Sequence, residues 1–176
     1  MRTFVLLFFS LIFFAGCNQE KIKPEVNTEV KPADLPDQES WDSEVMLIDT
    51  TGLRTLITSG HIRVYYKNKE TLFEKGLKVD FYNEQRLKTT TLTADRGRID
   101  DETKDLYAYG NVVAVNDSGV VLKSDELIWR NNEAKIRTDK FVTITSKYES
   151  IQGYGFESDQ HIRNYVIYKI NYITTF

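Results

Sequence analysis

The chain has 176 residues, 41 % hydrophobic and 12 % aromatic, with 23 basic against 26 acidic side chains and a net charge of −3. That length can bury one domain-sized core, and the slight acidity, without a basic cluster, excludes the electrostatic footprint of a nucleic-acid binder. One cysteine, Cys17, excludes an intramolecular disulfide, and the only histidines, His61 and His161, have no ligand-spaced partners that would suggest a metal site.

Residues 1–16 read as a signal peptide. Arg2 supplies a minimal charged start, and Phe4 to Phe14 is an apolar run too short to span a bilayer comfortably. The run ends Phe14-Ala15-Gly16-Cys17, which resembles the bacterial lipobox, with Phe14 standing where that pattern usually has Leu. The resemblance implies that Cys17 is lipidated and becomes the new amino terminus; a cleaved secretion signal with an incidental cysteine is the alternative. Residues 17–40 then form the lipidated cysteine and a flexible tether, because all three prolines (Pro24, Pro32, Pro36) fall there and aromatics do not.

Residues 41–176 read as one all-β domain. Polar clusters recur about every fifteen to seventeen residues, as at Lys67-Asn68-Lys69-Glu70, Asp100-Asp101-Glu102-Thr103 and Arg130-Asn131-Asn132-Glu133, and mark turns. Between them the chain alternates. Leu77, Val79 and Phe81 interleave with Lys78, Asp80 and Tyr82, the period of a strand with one buried face, and no helix is expected after residue 40. The stretch from Leu92 repeats from Leu122 without a gap, pairing Leu92 with Leu122, Leu106 with Ile136 and Val112 with Val142, with a fainter copy from Leu56. Such a period announces stacked strand-turn-strand units, none of which buries its apolar face alone. Gly76, Gly110 and the Asp139-Lys140 pair fall midway between turns, where a long strand can bend from one sheet into the opposing one. The expected fold is a V-shaped antiparallel sandwich.

The alternation and the repeat predict an inward set: Leu77, Val79, Phe81, Leu92, Ala94, Leu106, Ala108, Val112, Ala114, Leu122, Ile136, Val142 and Ile144. On the residues alone these form a closed, dry core as readily as a cavity. Other chemistry finds no support. Asp95 and Asp125 are repeat equivalents near a bend and read as backbone hydrogen-bonding groups rather than an acid/base pair. No nucleophile motif is present, and Gly153-Tyr154-Gly155-Phe156 lacks the lysine and helix of a phosphate loop. Arg96, Arg98, Lys123 and Arg137 read as solubilising surface cations, with contact to lipid phosphates the less favoured alternative. The chain is expected to have no catalytic residue, metal or cofactor.

The segment LTADRGRIDDETKDLYAYGNVVAVNDSGVVLKSDELIW resembles the LptC family of lipopolysaccharide export and the related LptA and OstA-like domains. The likeness lies in Ala94-Asp95, Leu106 to Val112 and Ser124 to Leu127, and covers most of residues 44–157. It implies an open, twisted β-jellyroll whose interior is a hydrophobic trough for lipopolysaccharide acyl chains, lined by the inward set. Many members keep an uncleaved transmembrane helix, whereas this chain would hold to the membrane by a lipid on Cys17, at the periplasmic face of the inner membrane, with the outer membrane as an alternative. The resemblance further implies an ABC transporter of LptB, LptF and LptG upstream, docked at the amino-terminal edge around Leu47 and Ile57. Downstream it implies an LptA-like bridge protein on a carboxy-terminal edge of Val166, Ile167, Tyr168 and Ile170. An LptA-like shuttle and a closed-core envelope scaffold are the competing readings.

Overall fold

Thr-, Val-, Ile- and Tyr-rich alternation makes strands, and the Asn/Asp/Gly clusters between them make tight reversals; the computed structural model, which describes residues 35–50 and 52–176, shows that grammar throughout. The strands are β1 (Gln38–Asp49), β2 (Gly52–Tyr65), β3 (Glu70–Tyr82), β4 (Lys88–Ala94), β5 (Arg96–Asp100), β6 (Leu106–Asn116), β7 (Val121–Arg130), β8 (Lys135–Thr145), β9 (Glu149–Asp159) and β10 (Tyr165–Thr175). The described residues hold one turn of 3-10 helix, Asn131–Glu133, between β7 and β8. β1 takes Gln38 to Ser40 from the stretch read as tether, because these pair with Val64, Arg63 and Ile62.

All ten strands form one antiparallel sheet in chain order, in which β4 and β5 act as two halves of a single strand interrupted at Asp95. Nearly every strand breaks its register midway. Breaks fall at Ser59/His61, Tyr109/Val112, Ser124/Ile128 and Thr138/Phe141. Aligned across the sheet, they crease it so that it folds onto itself. Gly76, Gly110 and Asp139-Lys140 sit at this crease, where the sequence places the bends. Gly110 has φ +76°, and a Cβ there would lie 2.5 Å from Asp95 Oδ2. The same carboxylate accepts Asn111 Nδ2 at 2.8 Å, while the Asp95 N–H donates to Gly110 O at 3.0 Å. Asp95 is thus a crease fastener. Its repeat equivalent Asp125 lies exposed at the β7 bend.

The crease brings two walls face to face. Phe81, in the second half of β3, meets Trp129, in the second half of β7, edge to face at 5.2 Å, although β4 and β6 separate their strands within the sheet. The thirteen inward residues predicted from alternation all belong to the resulting core. Each buried Leu, Ile, Val or Phe there contributes about 1.5–3 kcal/mol.

Candidate functional site

Directly opposed residues on neighbouring strands point their side chains to the same face of the sheet. Reading the pairings strand by strand gives one uninterrupted row: Val45, Ile57, Val79, Leu92, Ala114, Leu122, Ile144, Ile151 and Ile173. At roughly 4.8 Å per strand it runs about 38 Å, from one sheet edge to the other. Its centre is buried, whereas Ile173 at the β10 end is 51 % exposed. Five members of the row belong to the inward set predicted from sequence. Val45, Ile57, Ile151 and Ile173 do not, because the repeat that marks the centre of the chain fades towards both ends.

The interior is not equally accessible along its length. The inward set is 0–8 % exposed and packed in one cluster. Two hollows adjoin it beside β1. One, of 450 Å³, is lined by Val45, Leu47, Ile62, Val64, Phe73 and Ile99 together with polar residues at its rim. The other, of 470 Å³, lies between Met46, Leu47, Ile48 and Arg54 on one side and Lys104, Trp129 and Gln160 on the other. They share Leu47 and Lys104. Sequence reasoning named none of these lining residues as inward, although the alternation of Val45 and Leu47 with Glu44 and Met46 carries the signal.

Opposite the crease, the turn between β9 and β10 crosses from its own wall to the other. Thr90 Oγ1 donates to Gln160 O at 2.9 Å, and Asn116 Nδ2 donates to His161 O and Ile162 O at 3.1 and 3.2 Å. Ile162 is fully buried beneath them. The turn is held in shape by Asp159, whose carboxylate accepts the N–H groups of His161, Arg163 and Asn164. Burial alone would raise the Asp159 carboxyl, but these donors outweigh it and hold the group below the ordinary carboxylate value. Burial pushes His161 below the ordinary imidazole value, against the pull of Asp159; its Nδ1 meets Thr89 Oγ1 at 2.7 Å.

The two ends of the sheet differ. β1 and β10 each have one strand neighbour among the described residues, so each offers an open edge. β10 carries Val166 and Tyr168 outward and Ile167 inward, opposite Phe156, while Ile170 stands opposite Gly153 at the register break. Val166, Tyr168 and Ile170 are all at least half exposed, and Lys169 is the strand's one charge. Leu47 lies on the β1 edge as expected. Ile57 does not: it sits in β2, paired to Val45 on one side and Val79 on the other and fully buried. Its alternation marks it as strand, but edge position is a property of the neighbours, which alternation does not reveal.

The remaining candidates fall on the outer surface. His61 lies between Glu39 and Glu74 at 2.6 and 3.2 Å and stacks on Trp41. Arg98 covers the Tyr107 ring at 4.2 Å, and Arg137 bonds both Glu133 and Glu157. Lys135, with Arg137, holds the Glu157 carboxyl below its usual range. Arg96 and Lys123 are exposed. No cluster of three or more His, Cys, Asp or Glu among the described residues could hold a metal ion. Cys17 lies outside the described residues.

A sheet of this kind, creased around an apolar row and open at both edges, defines an all-β jellyroll-like protein. The chain belongs to the lipopolysaccharide-assembly, LptC-related family, whose model matches residues 4–169. No curated protein matches the sequence. Membership makes this a component of lipopolysaccharide transport in the cell envelope, on the inner-membrane side of the periplasm.

Proposed function

We propose that the protein is a lipid-anchored bridge subunit, which receives lipopolysaccharide from an inner-membrane ABC transporter of LptB, LptF and LptG and passes it to an LptA-like protein. The observation that carries this reading is the apolar row from Val45 to Ile173, continuous across every strand pairing from the β1 edge to the β10 edge. Partners adding a strand at each edge would lengthen the same row, so acyl chains could move along it without meeting water. Each methylene kept from water is worth about 0.8 kcal/mol, so the lipid is held tightly and its movement needs work supplied upstream. The chain itself needs no catalytic group for this.

Photo-crosslinking residues at Val79, Ala114 and Ile144 should capture lipopolysaccharide in cells, while the outward neighbours Lys78, Val113 and Thr143 should not. The strand pleat makes that contrast sharp. Capture that ignores the alternation would mean adsorption to the outer surface. The dense packing of the inward set favours a second reading, an envelope scaffold with a permanently closed core, and absence of capture at all six positions would support it.

The anchor in this proposal is a lipid on Cys17. A single acyl chain binds membranes only reversibly, whereas a diacyl thioether with a further chain anchors firmly. Metabolic labelling with a palmitate analogue should mark the wild-type chain and not Cys17→Ala. Equal labelling of both would remove the lipoprotein part of the reading.

A further inference from the structure

The turn that closes the interior is built unlike the other turns. Ile162 has φ +52°, a conformation that a β-branched residue adopts only when its surroundings force it, and its side chain is fully buried. Flanking it are polar residues, Gln160, His161, Arg163 and Asn164. The bonds that carry the turn across to the other wall are few and not part of any strand ladder. They are those of Thr90 and Asn116 to its carbonyls, the 2.7 Å contact of His161 with Thr89, and the 2.6 Å ion pair of Arg163 with Asp117. Water can replace all of them without breaking the sheet. Burial of Ile162 is the one contribution that water cannot replace, and an apolar chain in the same place can.

The 470 Å³ hollow lies directly beside this turn and shares Gln160 with it. Its size is within the roughly 300–1,000 Å³ of small-ligand sites, and its lining is mixed, with Met46, Leu47, Ile48 and Trp129 apolar and Arg54, Lys104, Asn131 and Gln160 polar. In the closed arrangement Trp129 Nε1 is buried with no acceptor, so the turn does not complete the interior's hydrogen bonding. We infer that this hollow is the lateral mouth through which a lipid acyl chain reaches the apolar row, and that residues 160–164 are its gate, with Ile162 in the space the chain takes. The inference rests on the lipid-carrying function proposed above. It reconciles that function with an interior that is packed shut: the closed core is the unloaded state.

The test locks the gate. Thr89→Cys with His161→Cys, in the full chain carrying Cys17→Ala and a photo-crosslinking residue at Ile144, joins the turn to the opposite wall through side chains already in contact. With the protein in detergent solution and purified lipopolysaccharide as probe, oxidation should lower capture at least tenfold, and reduction should restore it. Ile162→Gly, which removes both the plug and the strained backbone, should raise capture several-fold over the parent. Equal capture by the oxidised and reduced forms, with the circular dichroism unchanged, overturns the gate while leaving the lipid-carrying function standing. Loss of capture in the parent, reduced and oxidised forms alike removes that function and the gate together.

Discussion

Phe81→Ala is expected to lower unfolding free energy by about 3–5 kcal/mol, with a fall in Tm of roughly 10–20 °C. Phe81 is fully buried on one wall and meets Trp129, on the other, at 5.2 Å, so its ring joins two faces that only the crease brings together. Truncation removes the transfer free energy of the ring and leaves a cavity between walls whose backbones are pinned by their own ladders and cannot collapse. A domain of this size has only about 5–15 kcal/mol of stability, so the variant should fold at room temperature and melt early. Urea unfolding followed by tryptophan fluorescence measures it. In a double-mutant cycle Phe81→Ala and Trp129→Ala should couple by about 0.5–1.5 kcal/mol. A loss below about 1 kcal/mol for Phe81→Ala would show that the walls do not pack here and that the interior is open in solution.

Proline on β10 should reduce capture of an LptA-like partner at least tenfold, about 1.4 kcal/mol, while leaving association with the transporter unchanged. Strand addition uses the N–H and C=O groups of the free edge, and proline removes one donor and blocks close approach. Successive N–H groups along an antiparallel edge point alternately into the sheet and away from it, so of Val166→Pro and Ile167→Pro, one spares the ladder to β9. At the other edge Met46→Pro and Leu47→Pro make the matching pair, and the one that spares β2 should release the transporter and keep the LptA-like partner. Ile57→Pro is unsuitable, since β2 is paired on both sides and the substitution would break the fold rather than an edge. Pull-downs from detergent extracts, with circular dichroism to establish folding, decide the outcome. Full retention of the partner by both β10 prolines would show that the protein does not hand on lipid by this edge.

The sequence by itself determined the inward facing of thirteen core side chains, from Leu77 to Ile144. Leu77, Val79 and Phe81 alternate with charged or polar neighbours, and a one-residue slip would turn a whole strand inside out, so the pattern admits one answer. It also determined where strands bend, because Gly76, Gly110 and Asp139-Lys140 interrupt that alternation at repeat-equivalent places. The likeness of Ala94-Asp95 and Leu106 to Val112 to a known pattern carried the family.

Three features were decided by tertiary structure alone. Which residues stand opposite one another across strands depends on turn lengths and bulges, so the row from Val45 to Ile173 exists only once every register is set. Edge position depends on what lies alongside, which is why Ile57, read as an edge residue, is a central one. The closing turn is the third. Ile162 is a lone apolar residue in a polar loop, with no period to mark it as inward, and only the folding of one wall over the other brings Thr90 and Asn116 within reach of its backbone. Alternation is a local consequence of the pleat, whereas register, edges and closure are set by contacts between residues far apart in the chain, and no local pattern encodes them.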